Sequence, residues 1–445
     1  MDREEIVQTG LTLAEKVGAD SAETYFLERD NLTIEVRGGK LETLHQSRER
    51  GLGIRVLKDG SLGYAFTSDL RPQALGNTVE LAVLGAKYSS LDSGAKLPGA
   101  FSYDLSLAQF DRDLEETSLE AKKDLAFAIE QAALTADKRI SKSERAAYEE
   151  NDYTVFLANS NGLRMNYRGN FCGGYVWVVA EANGDVQTGS GLSYVTELAR
   201  IDPVAIGQEA ALEAVRLLGS KPIATQKLAL VLPPHVATRF LGILATPLTA
   251  EAVQKGRSLF ANQVNQQIAA PAVTIIDDGT LAGGINTAPA DGEGVPSERT
   301  VLVQNGVLQT FLHNTYTAHK EGAVSTGNGV RGSFKSPPEV GPTNMFIAPG
   351  TASEDDIVQS VDKGLYIFDL MGTHTANPIS GDFSLGVTGV LIEKGKLTRP
   401  VRQVILAGNI LDFLSQIQVV GSNLRFYLGL GAPTLLVEPL TISGN

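Results

Sequence analysis

A chain of 445 residues is too long for one ordinary hydrophobic core, and with 43% apolar residues it can build two. Its formal net charge of −13, with no cluster of Lys and Arg, excludes a surface built to neutralise nucleic-acid phosphates. The single Cys172 excludes an internal disulfide framework and a cysteine-based zinc knuckle, while the acidic start MDREEIVQTG and the lack of any apolar run of membrane-spanning length predict a cytoplasmic protein with no membrane contact.

Ile6, Gly10, Leu13, Ala14 and Val17 recur at helical spacing and Gly18 follows as a stop, which predicts a short opening helix. Ala22 to Leu27, Leu32 to Val36 and Leu41 to Leu44 read as strands divided at Asp30-Asn31 and Gly38-Gly39. Gly51 to Leu57 alternates and then turns at Lys58-Asp59-Gly60, so an antiparallel meander is expected. Pro72 to Lys87 is a predicted helix with Leu75, Val79, Ala82, Val83 and Ala86 on one face. Residues 88 to 116, rich in Ser, Gly, Pro and Asp, read as an irregular surface crossing. A further helix follows from Ser118 to Asp137, its inner face assigned to Ala121, Leu125, Ala128, Ile129 and Ala132.

Asp152 to Asn159, Gly162 to Tyr167, Phe171 to Glu181 and Asp185 to Glu197 form predicted hairpins, with Asn161-Gly162 and Asn183-Gly184 as tight turns. Cys172 lies in one of these strands and reads as a buried structural thiol. Asp202-Pro203 caps and starts a helix that Gly219 ends. The domain boundary is placed in Ser220 to Gln226, giving an N-terminal α+β domain (1–222) of antiparallel sheet and packed helices, and a β-rich C-terminal domain (223–445). In the latter, Leu228 to Leu232 is a strand, Val236 to Leu244 a helix, and Asn305-Gly306 and Lys394-Gly395 are hairpin turns.

Pro247 to Phe260 (PLTAEAVQKGRSLF) reads as a helix capped by Thr249, with Glu251 at its positive end and Gly256 as its point of ending. Together with Asp291-Gly-Glu-Gly-Val-Pro-Ser-Glu-Arg-Thr-Val-Leu-Val-Gln-Asn-Gly-Val-Leu and Gly381-Asp-Phe-Ser-Leu-Gly-Val-Thr-Gly-Val-Leu-Ile-Glu, this segment resembles the TldD/PmbA family, long labelled modulators of DNA gyrase, over almost the whole chain. The resemblance implies that a TldD branch carries His-Glu-x-x-x-His on this helix and a C-terminal cysteine as zinc ligands, and that a PmbA or TldE branch lacks them. Here Ala250 and Lys255 stand at the histidine positions, Glu251 is kept, and an apolar residue near Val419 stands for the cysteine. A methyl group has no lone pair and an ammonium repels a dication, so the motif is degenerate and no metal is expected in this chain. Glu251, with no metal-bound water to deprotonate, is read as pairing with Lys255 or Arg257.

Other chemistry is sparse. His313, Arg331 and His374 are candidates to line a cleft, the histidines at spacings that fit no usual zinc site. Asp277-Asp278 and Asp291 with Glu293 sit in Gly- and Pro-rich stretches and read as loop-shaping carboxylates. Ser325 to Gly332 lacks the ending of a P-loop, and no Gly-x-Ser-x-Gly elbow is present. The family resemblance implies a non-catalytic TldE-like subunit of a TldD/TldE-type zinc metalloprotease, with zinc in a TldD-like partner and unfolded peptides as substrate. A self-sufficient peptidase or amidase with a divergent site, and a homodimeric peptide-binding module, are the alternatives. Heterodimer and homodimer are both compatible with the sequence, and its composition lends the gyrase label no support.

Overall fold

Side-chain alternation along very long strands dictates the first half of the computed structural model, which describes residues 1–444. Strands β1 (Ser21–Arg37), β2 (Lys40–Lys58), β3 (Ser61–Thr67), β4 (Ile140–Asn159), β5 (Arg164–Ala182) and β6 (Asp185–Val195) form one antiparallel sheet in the order β3-β2-β1-β4-β5-β6. On β1, Phe26 and Ile34 point to the face covered by helices. Phe26 packs in the cluster of helices α1 (Arg3–Lys16) and α2 (Pro72–Tyr88). Ile34 packs in that of α4 (Leu119–Ala136) and α5 (Pro203–Arg216), beyond the short helix α3 (Arg112–Glu116). The odd-numbered Tyr25 and Leu27 point the other way and pack with Ala290 and Phe334 from the C-terminal half. A period of two thus gives the sheet a helix-covered face and a face that receives the rest of the chain.

In the C-terminal half, β7 (Gln226–Leu232) lies between the strands Lys363–Met371 and Leu435–Ser443. Asp382–Glu393 and Lys396–Asn409 extend that sheet, and pairing of Ile405 with Ser443 closes it into a barrel. Helix α6 (Pro234–Leu244) contributes Phe240, which stacks on Phe413 at 4.3 Å between ring centres. A second six-stranded sheet contains Ile275–Asp278, Arg299–Gln304, Met345–Ile347 and Arg425–Tyr427. The architecture is α+β, an antiparallel sheet with packed helices followed by a β-rich half.

Three local expectations need correction. Asp30-Asn31 is not a turn but the middle of β1, where Asp30 sits opposite Arg48 and accepts from it at 2.6 and 2.9 Å. The buried face of α4 is Lys122, Ala126, Ile129, Glu130 and Ala133, not the face through Ala121 and Ala128. Lys122 pairs with Glu150 at 2.7 Å, and Glu130 accepts from the N–H groups of Gly38 and Gly39, so partners from the sheet permit two charges to lie inward. Finally, the helix predicted from Pro247 to Phe260 is only α7 (Ala250–Gln254), because Lys255 is already its C-cap and Gly256 adopts φ +65°.

Candidate functional site

Thr249 caps α7 by accepting from the Ala252 N–H at 3.2 Å, and the Ala250 N–H donates to the Leu312 carbonyl at 2.9 Å. Ala250 is fully buried within the barrel's apolar cluster. One turn on, Lys255 Nζ donates to Glu251 Oε1 at 2.7 Å, with the side chains 54% and 35% exposed. Val419 is half-buried in the strand Ile417–Val420, paired with Leu436. A buried methyl, an ammonium already on the carboxylate and an aliphatic side chain do not fit a zinc ion, and no catalytic step is assigned to one here.

Helix α8 (Thr315–Glu321) packs beside α7, with Gln254 Nε2 donating to the Thr317 carbonyl at 2.9 Å and to Glu321 Oε1 at 2.8 Å. Glu321 also approaches His313 Nε2, at 3.9 Å. His313 is buried, which lowers its pKa and keeps the ring neutral at pH 7, and its Nδ1 has no protein partner among the described residues. The Ser325 to Gly332 stretch folds onto this residue, since Ser325 and Thr326 both donate to the His313 carbonyl. His374 lies on an exposed 3₁₀ turn, Thr373–Thr375. The structure thus links His313 to α7 through Glu321 and leaves His374 on the outside.

Arg331 belongs to a different place, the seam between the first sheet and the C-terminal half. Its guanidinium pairs with Glu23 on β1, lies 4.6 Å from the Tyr25 ring centre, and donates to the Gly292 carbonyl at 2.6 Å. Glu23 also pairs with Arg55 on β2 at 2.6 Å, and Arg55 reaches Glu293 at 2.9 Å. The Arg55, Glu23 and Glu293 side chains are 6%, 1% and 0% exposed. Glu293 in turn accepts from the Thr315 N–H at the start of α8 at 2.7 Å. A chain of buried charges therefore runs from the first sheet to the helix that packs on α7. Nearby, Phe334 fills the space above Gly51 and Gly53, and its carbonyl accepts from the Tyr64 hydroxyl at 2.8 Å.

The carboxylates read as loop-shaping are all buried. Asp291 does shape its loop, accepting from the N–H groups of Glu293, Val295 and Gly329, and burial with the adjacent Glu293 raises its pKa. Asp278 accepts from the Thr280 N–H and hydroxyl. Asp277 reaches further, to Asn328 Nδ2 at 2.7 Å and to the Thr343 N–H and hydroxyl at 2.8 Å, and burial pushes it up to about 6. Burial likewise pushes the Cys172 thiol up to about 12, away from nucleophilic use. A cleft of about 420 Å³ opens along the seam, walled by Tyr25, Tyr153 and Tyr167 from the sheet and by Arg331, Asn286 and Thr343 opposite. Asn286 Nδ2 donates to the Thr343 carbonyl and the Thr343 hydroxyl to Asp277, so the wall opposite the tyrosines is held in place by its own hydrogen bonds. Sequence reasoning singled out Arg331 as a cleft-lining candidate but not Glu23 and Arg55, whose only local signal is a charged residue at an inward position of an alternating strand.

Three family models match in order: PmbA/TldA metallopeptidase domain 1 over residues 22–86, its central domain over 112–218 and its C-terminal domain over 225–444. The Metalloprotease PmbA of Escherichia coli O157:H7 is 29% identical over 99% of this chain and 96% of its own. A Metalloprotease TldD homolog of Haemophilus influenzae is 27% identical over 96% of this chain and 93% of its own. Among solved structures, a Thermotoga maritima protein named as a modulator of a DNA gyrase superposes with a TM-score of 0.91 at 28% identity, covering 99% of this chain and all of the other. TldE from Thermococcus kodakarensis shares the fold with a TM-score of 0.91 at 23% identity over the same shares.

Proposed function

The chain belongs to the PmbA/TldD metallopeptidase family, and from that premise we propose that it is the non-catalytic, TldE-like subunit of a two-chain zinc peptidase acting on unfolded peptides. One observation carries the reading. At the helix where the family's catalytic branch would hold its metal, Ala250 is a buried methyl and Lys255 closes onto Glu251 at 2.7 Å. The division of labour follows from chemistry: a TldD-like partner supplies the Lewis acid and the metal-bound water, and this chain supplies walls that hold an extended peptide. The cleft along the seam, near Arg331, is the surface we assign to that task, with cytoplasmic peptides as its substrates.

The test is a reconstitution. The purified chain, dialysed against metal-free buffer, is assayed for zinc and for cleavage of an unfolded peptide, alone and mixed with a TldD-like chain. Near-zero zinc, no cleavage alone, and co-elution with zinc-dependent cleavage in the mixture are expected. Stoichiometric zinc with chelator-sensitive cleavage by the isolated chain would favour a self-sufficient peptidase. Peptide binding without cleavage in either case would favour a homodimeric binding module.

A further inference from the structure

A cavity of about 910 Å³ lies on the same seam, between α5 and β6 on one side and α6 with the strands Lys363–Met371 and Arg425–Tyr427 on the other. Tyr366, Phe368 and Tyr427 give it an aromatic wall. Most of its charge is already committed. Arg425 grips Glu209 with two bonds of 2.8 and 2.7 Å and lies over the Tyr427 ring, and Arg239 pairs with Asp369. Glu354 accepts from Tyr366, Asn423 and Thr434, Asp202 caps α5, and Arg216 lies over the Phe368 ring.

Two groups are the exception: the exposed Arg216, which has no carboxylate partner among the described residues, and Glu213. Glu213 Oε2 accepts from the Ser190 N–H at 2.6 Å and hydroxyl at 3.3 Å, whereas its Oε1 has no protein donor among the described residues. His235 Nε2 lies 2.7 Å from the Phe368 carbonyl, which can only accept, so the ring carries its proton there and Nδ1 is left as a lone pair. Thr238, 5% exposed on the same wall, has a hydroxyl with no partner. Apart from Arg216, the groups left unmatched can all accept a hydrogen bond: a carboxylate oxygen, an imidazole nitrogen and a hydroxyl beside three aromatic rings. A ligand that satisfies them brings several donors, a positive charge and an apolar stem.

We propose that this cavity receives the protonated side-chain amine of a lysine in an extended peptide, with Glu213 as its counter-charge, His235 Nδ1 and Thr238 as neutral acceptors, and the aromatic wall along its methylenes. The identity of the carrier rests on the peptide-holding reading above; capture of the ammonium is a property of the chain by itself.

Calorimetric titration of the isolated full-length chain at pH 8 tests this, with acetyl-Ala-Lys-Ala-amide, the same peptide bearing Gln for Lys, and cadaverine as probes. The lysine peptide is expected to bind at least tenfold more tightly than the glutamine peptide, and Glu213→Gln to erase that preference while leaving glutamine-peptide binding in place. His235→Phe, a second variant on another element, is expected to weaken lysine-peptide binding at least threefold. Equal binding of the two peptides, or a preference that survives Glu213→Gln, overturns the proposal. Cadaverine binding as tightly as the lysine peptide overturns the peptide as carrier. Because no partner subunit is present, failure here is separable from failure of the two-chain reading, which lysine-free peptides test in the reconstitution.

Discussion

Replacing Arg55 by Met removes the cation that joins Glu23 on the first sheet to Glu293 in the C-terminal half, and keeps most of the side chain's volume. Glu23 retains Arg331, but Glu293 is left with only the Thr315 N–H as a partner, fully buried, beside Asp291. Breaking a buried pair on one side costs about 3 to 5 kcal/mol, because the remaining charge stays desolvated. At roughly 2 to 4 °C per kcal/mol for folding units of this size, the melting temperature is expected to fall by about 6 to 20 °C. Urea unfolding measures this, with Arg48→Met as the control. Arg48 is 65% exposed, and its pair with Asp30 is expected to contribute about 0.2 to 1 kcal/mol. If Arg55→Met falls within about 1 kcal/mol of that control, the seam charges do not hold the two halves together.

Phe334→Ala empties the space its ring fills against Gly51, and a loss of about 3 to 5 kcal/mol in urea unfolding is expected, against less than about 0.5 kcal/mol for Lys255→Ala at the exposed end of α7. Burial pushes Glu213 up to about 7, above its ordinary value of 4.5, so the stability it contributes is complete below pH 4.5 and lost as pH rises through 7. Glu213→Gln lacks that loss, and melting curves from pH 5 to 8 are expected to show the variant gaining on the wild type as pH rises. The double variant Ala250→His, Lys255→His is expected to show no zinc-dependent peptide cleavage, since no sulfur stands near Val419; strong cleavage by it would refute the reading of α7.

Features governed by neighbours in sequence were legible. Asn183-Gly184, Asn305-Gly306 and Lys394-Gly395 all take positive φ where hairpins were expected, because those residues tolerate the left-handed region that such turns need. Asp202 accepts from the Val204 and Ala205 N–H groups, as its place before Pro203 predicts. Features governed by distant partners were not. Asp30 belongs in a strand because Arg48 pairs with it across the sheet, and Lys122 and Glu130 turn inward because the sheet offers them Glu150 and two glycine N–H groups. The seam drew on Glu23, Arg55, Glu293 and Arg331, four residues from well-separated segments, and no spacing rule connects them. Glu213 and His235 were equally silent, each sitting on a helix whose pattern reports only packing.

The energetics explain why chemistry at α7 and architecture at the seam can part company. The Glu251–Lys255 pair is exposed, and pairs of this kind contribute about 0.2 to 1 kcal/mol, so stability scarcely constrains which side chain stands at position 255. Position 250 differs. Its methyl is fully buried among barrel residues, and the larger imidazole would overpack that space at a cost of about 1 to 3 kcal/mol unless the surroundings move. A metal site here is therefore closed by packing as well as by ligand chemistry. The charges at the seam hold the first sheet against the C-terminal half whatever α7 carries, so the cleft and the cavity on that seam do not depend on a metal. In a fold of this kind the surfaces along the seam do not depend on the side chains of α7, which is the physical basis for the proposal that this chain holds a peptide and does not cut it.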